Sequence, residues 1–177
     1  MLLPITIYGN SVLRKVTSEV TPDDEGLLQF IDNMFETLKK SDGIGLAAPQ
    51  VNSMRRLFIV DGTPLSDEHP ELAEFKQPFI NPEITGFSEE EIFAEEGCLS
   101  IPGIREEVRR PENITIRYYD RNFKEHEETY SGIAARIIQH EFDHLNGVLF
   151  TDRLSPLTKR MLRKKLAAIS KGKFEVS

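Results

Sequence analysis

Between residues 27 and 38 the apolar side chains Leu27, Phe30, Ile31, Met34, Phe35 and Leu38 return at helical spacing. That period predicts an amphipathic helix with one stripe on a core. Lys39 and Lys40 mark its end, with Gly43 near the C-cap. Short β-rich runs follow at 57–60, 79–84 and roughly 86–94, while 62–77, with its prolines and acids, reads as a surface excursion. Over 113–120 Ile114, Ile116 and Tyr118 alternate with polar neighbours, the pattern of a half-buried strand. Asp120, Arg121 and Asn122 offer turn chemistry, so 123–130 is expected to return as the partner of a hairpin. Ser131 is a candidate N-cap for a second helix over 132–145, closed by Asn146 and Gly147. Ser155 and Pro156 open a third. The pattern predicts an α+β fold in one domain over 1–177: short antiparallel strands packed around a central helix, with helices towards both ends.

Composition narrows the classes. Hydrophobic residues make up 39% and charged residues 29%, as in an ordinary globular chain. No apolar run approaches the roughly 20 residues that span a bilayer. Residues 1–6 show neither a basic stretch nor a long apolar one, so no signal peptide and no membrane partner are expected. The single cysteine excludes an internal disulfide and suits a reducing compartment, the cytoplasm by default. A net charge of −7 argues against DNA or general nucleic-acid binding. The charge is uneven, however: residues 153–173 hold eight Lys or Arg and no Asp or Glu. A basic helix over about 155–171 reads as a solvated face or as a partner-binding tail.

Candidate chemistry centres on Gln139-His140-Glu141-Phe142-Asp143-His144, an H-E-x-x-H pattern inside the predicted second helix. Four residues turn a helix through about 400°, so His140 and His144 share a face and can reach one metal ion. Glu141 falls beside that ion, free to handle protons. An open catalytic site needs a third protein ligand. The extension H-E-x-x-H-x-x-G-x-x-H matches at Gly147 but fails at Phe150. The one Glu after His144 is Glu175, near the chain end, and His69 and His126 sit in polar segments that read as solvated. Cys98 remains. A lone cysteine is commonly a small buried hydrophobe, yet Gly97 lets the backbone bend or be closely approached, and 99–102 ends the strand sharply. A thiolate with two imidazoles leaves one tetrahedral position for water. The run Gly43 to Gln50 reads as a helix C-cap and tight turn, or as a segment whose glycines admit a ligand to the main chain. Gln50 then supplies an uncharged N–H donor for a developing oxyanion.

The segments GIGLAAPQ at 43–50, EGCLS at 96–100 and QHEFDH at 139–144 together resemble the peptide deformylase family, whose motifs are G-φ-G-φ-A-A-x-Q, E-G-C-L-S and Q-H-E-x-D-H, with φ apolar. The resemblance runs over nearly the whole chain. It departs at the longer excursion at 62–77 and at Asp42 before the glycine motif. It implies hydrolytic removal of the formyl group from the N-formylmethionine of new polypeptides, releasing formate. Cys98, His140 and His144 would hold the metal, Glu141 would move protons to and from a metal-activated water, and Gln50 with the Leu99 N–H would hold the oxyanion. It implies Fe2+ as the resident ion, with Zn2+, Ni2+ or Co2+ as substitutes. The peptide main chain would add as a strand beside Ile44, Gly45 and Gly97, and Arg105 matches a substrate-contacting position. Ile44, Ile133 and Ile137 are candidate walls of a methionine pocket, placed by helix phase. Ribosomal RNA is a candidate partner for Lys159, Arg160, Arg163 and Lys164, and a monomer is expected. The rival readings are an H-E-x-x-H zinc metalloprotease and an inactive formyl-peptide binder.

Overall fold

A computed structural model of the chain describes residues 1–174. Glu175 therefore lies outside the described residues. The first helix, α1 (Leu27–Lys40), has the predicted stripe: Leu27, Ile31, Met34 and Leu38 are buried. Its end is not made by glycine. Asp42 takes the left-handed conformation, φ 57°, while the Gly43 N–H donates back to the Leu38 carbonyl. Gly43 is needed for space: a Cβ there would lie 2.9 Å from both Leu38 Cδ1 and Leu99 Cδ1.

Seven strands follow: β1 (Gly45–Ala47), β2 (Leu57–Asp61), β3 (Lys76–Phe87), β4 (Glu91–Cys98), β5 (Ile101–Pro111), β6 (Asn113–Tyr119) and β7 (Glu125–Ser131). Five of them form an antiparallel sheet in the order β1-β2-β3-β6-β7, and β4 and β5 form a separate hairpin. β2 is apolar throughout because both faces of the sheet are covered. Leu57 and Ile59 meet α1, whereas Phe58 and Val60 meet the second helix, α2 (Gly132–Leu145).

Several boundaries differ from the sequence pattern. The run at 86–94 divides: Gly86 and Phe87 finish β3, a turn over 88–90 is tied by Ser88 Oγ donating to the Glu90 carbonyl, and β4 begins at Glu91. The excursion at 62–77 is not all surface. It winds through two short 3-10 turns that bury Leu72 and Phe75, and its last two residues open β3. The run at 43–50 forms a short strand and a 3-10 turn, Ala48–Val51, rather than a cap and tight turn alone. Ser131 precedes α2 without a side-chain cap, whereas Ser155 Oγ does accept the Thr158 N–H at the head of α3 (Pro156–Ser170).

α2 thus lies between two layers. Ala135, Ile137, Ile138 and Leu145 pack on the five-stranded sheet, and the opposite side of the helix faces the β4–β5 hairpin. β5 in turn packs against Leu149, Phe150, Leu154 and the α3 residue Ile169. Among the described residues no helix is long and apolar enough to cross a membrane.

Candidate functional site

The hairpin and the central helix meet at three side chains. Cys98 closes β4, and His140 and His144 stand one turn apart on α2. Their ligand atoms all lie within 4.8 Å of one another. Cys98 Sγ is 3.4 Å from His144 Nε2, and the two imidazole centroids are 5.2 Å apart. His140 Nδ1 donates to Glu96 Oε1 at 2.8 Å, which leaves its Nε2 as the ligand atom. Burial disfavours a charge on His140, but Cys98 and Glu96 together raise its proton affinity. Burial, then the nearby His140, lowers that of His144.

Glu141 is buried beside the cluster, and its Oε1 has no hydrogen-bond partner among the described residues. The reason it fits lies in β1. A Cβ on Gly45 would stand 2.7 Å from Glu141 Oε2 and 2.8 Å from its Cγ, so a residue with no side chain is the floor on which the carboxylate rests. Burial pushes the Glu141 carboxyl up to about 7, against the attraction of His140. An unpartnered buried carboxylate oxygen is costly unless a ligand or water meets it. A thiolate, two imidazoles and that free oxygen fit a divalent transition metal with an open position.

Gln50 is buried with its amide fixed at both ends. Oε1 accepts the Ala47 N–H at 2.9 Å, and Nε2 donates to Ser100 Oγ at 3.1 Å and towards Cys98 Sγ at 3.5 Å. Leu99 follows Cys98 in the hairpin turn, its side chain against the α1 core. Ile44 and Ile133 are half-buried against the core on α2, while Ile137 is nearly wholly buried within it. The Ile44 carbonyl is occupied, accepting the Asp61 N–H at 2.9 Å. By antiparallel alternation the N–H and C=O of Gly45 therefore face out from the open edge of the sheet. Gly97 stands opposite Arg105 across the hairpin. Neither spare histidine joins the site. His69 lies 3.4 Å from Glu71, and His126 is not simply solvated: it is half-buried, bonded to Asp120 at 2.7 Å and stacked on Tyr118.

What the sequence pattern left without a role is the support behind the ligands. Glu96 is buried and accepts from His140, Arg136 and, through both oxygens, Arg110. Arg110 also reaches Asp143, which Arg153 grips with two bonds. Burial alone would raise the Glu96 carboxyl, but the bonds from His140 and Arg110 outweigh it and hold it far below the carboxylate range. Glu96 and Asp143 lie inside the quoted motifs; their partner Arg110 sits in a charged run, 105–110, that carries no such signal. Two surface hollows, one beside Asp24 and Arg55 and one beside Phe35 and Arg121, lie elsewhere, so it is chemistry that marks this site.

Comparison with known proteins agrees with that chemistry. A family model described as polypeptide deformylase matches residues 2–160. The chain is 48% identical to a peptide deformylase of Christiangramia forsetii, covering 99% of this chain and 93% of the relative. It is 51% identical to one of Salinibacter ruber, covering 99% and 92%. Among solved structures, the peptide deformylase of Thermotoga maritima superposes with a TM-score of 0.80 at 43% identity, over 88% of this chain and 99% of that one. A Plasmodium falciparum peptide deformylase in complex with an inhibitor gives 0.83 at 39% identity, over 94% and 99%. The chain belongs to the polypeptide deformylase family, metal-dependent hydrolases that remove the formyl group from newly made polypeptides.

Proposed function

We propose that residues 1–177 act as one catalytic domain that hydrolyses the formyl amide of N-formylmethionyl peptides through Cys98, His140, His144 and Glu141. The observation that carries this is the convergence of a thiol and two imidazoles within 4.8 Å beside a buried carboxylate with one free oxygen. Held by those three side chains, a divalent ion supplies a Lewis acid that polarises the formyl carbonyl and makes water acidic. Fe2+ is the proposed ion, with Ni2+, Co2+ or Zn2+ as substitutes.

Glu141 takes a proton from the attacking water at its free oxygen and returns it to the departing amine. A carboxyl raised to about 7 by burial suits both directions of transfer. As the carbonyl oxygen gains charge, the Gln50 Nε2–H and the Leu99 N–H donate to it. Ala47 holds the other end of the Gln50 amide, so the donor end is fixed before substrate arrives. The outward main chain of Gly45, together with Gly97 and Arg105 of the hairpin, receives the peptide as an added strand. Ile44 and Ile133 line the methionine side chain, with Ile137 behind them. The enzyme works as a cytoplasmic monomer on nascent chains. The exposed Lys159, Arg160, Arg163 and Lys164 of α3 are the proposed contact with ribosomal RNA, which co-sedimentation in low salt, reversed by high salt, would support.

The test is formate release from formyl-Met-Ala-Ser by protein prepared without oxygen and loaded with Fe2+ or Ni2+. Metal-dependent release is expected, and Glu141→Gln should lower kcat by about 10³-fold while still binding metal. No release from folded, loaded wild type would reject the reading. Cys98→Ser should abolish metal binding here but spare it in an H-E-x-x-H protease.

A further inference from the structure

Alternate residues of a strand share a face, so the side of β4 that carries Gly97 continues to Glu95, Phe93 and Glu91. Across the hairpin Gly97 stands opposite Arg105, and Glu95 opposite Glu107. Arg105 does not reach freely into water. A Cβ on Gly97 would lie 2.6 Å from its Nη1 and 3.3 Å from its Cγ, so the side chain lies across the glycine. Glu95 holds it there, Oε1 accepting the Arg105 Nε–H at 2.5 Å. The two side chains remain 64% and 58% exposed. Gly97 directly precedes Cys98. On the proposed added-strand path, a peptide whose formyl carbon sits beside Cys98 passes this glycine within its first residues, at roughly 3.3 Å per extended residue.

We propose that Glu95 sets the charge preference of the peptide site: as counterion to the Arg105 guanidinium above Gly97, it keeps the enzyme from favouring an acidic second or third residue. The inference rests on the deformylase reading of the site. With Glu95 in place, an acidic substrate side chain must displace a carboxylate already bonded to Arg105 and gains little. A basic one meets Glu95 and Glu107. Without Glu95 the guanidinium faces the peptide, and Glu107 is the remaining carboxylate beside it on that face. The groups are exposed and screened, so the effect is several-fold rather than orders of magnitude.

The experiment compares kcat/KM of the Fe2+-loaded enzyme for C-terminally amidated formyl-Met peptides with Glu, Lys or Ala at the second or third residue, in low salt. Glu95→Gln should raise the Glu-over-Lys ratio by about three- to five-fold at one of the two positions. Glu95→Asp should keep the wild-type ratio, the double variant Glu95→Gln, Arg105→Gln should restore it, and high salt should erase the gain. A Glu95→Gln ratio equal to wild type, or a gain that survives loss of Arg105, would overturn the proposal. If wild type fails even on the neutral peptide, the deformylase reading falls and takes this one with it; if only the ratio fails to move, this one falls alone.

Discussion

Glu95 and Glu96 are neighbours on β4, and each binds an arginine of β5, yet they live in different media. Glu95 is 58% exposed and holds Arg105 with one short bond. Glu96 is 4% exposed and accepts from Arg110, Arg136 and His140. The period of a strand sends one carboxylate to the solvent face and the next to the helix that carries the histidines. The attraction between two charges at contact is several times stronger when water is excluded, and so is the penalty for leaving either one alone. The inner pair belongs to the framework behind His140 and the proposed metal site. The outer pair is free to exchange partners.

Three changes would break or sharpen that contrast. Glu96→Ala leaves Arg136 without its buried carboxylate and Arg110 with Asp143 alone, and should cost about 3–5 kcal/mol in thermal or urea unfolding. The same variant should weaken metal binding about 10- to 100-fold, because His140 loses the acceptor that orients its ring. Acid should act through the same group. The Glu96 carboxyl is depressed in the folded state, so its stabilisation is complete above its ordinary value of 4.5 and is lost as pH falls below it. In metal-free protein, wild type should therefore lose up to about 1.4 kcal/mol per pH unit more than Glu96→Gln below that value, read from urea midpoints. Equal slopes would place the proton elsewhere. The smallest change is on the outside: Glu95→Ala should shift stability by under about 1 kcal/mol, and a larger loss would mean that the solvent face also carries the fold.

The same contrast explains what could be read from the sequence. α1 and β6 were legible because one face of each is apolar and the other is not, whereas β7, which has no apolar face, followed from the turn at 120–122, and α2 from Ser131 before it and Asn146 and Gly147 after it. β5 was not. Its inward positions are Ile101, Ile104, Val108 and Arg110, so a buried charge occupies a place where the pattern needs an apolar residue. β1 spans three residues, too few for any period to show. Cys98, His140 and His144, which the structure brings within 4.8 Å of one another, could be picked out by residue type and spacing, since the other His and Glu candidates read as weaker third donors. Glu96 and Asp143 could not be given their duties, because these depend on arginines 14 and 33 positions away in sequence. Leu72 and Phe75 were hidden among the prolines and acids of the excursion, although both are core.

Gly45 joins two of these demands in a single residue. Its main chain is the open margin of the sheet, and the missing side chain is the seat of Glu141. Any side chain grafted there would press on the acid, while the outward N–H and C=O would remain. The chain thus has no mutational route at position 45 by which to escape a blocker that grips this backbone and still keep the Glu141 carboxylate in place. Resistance would have to arise at a distance, in the residues around the groove.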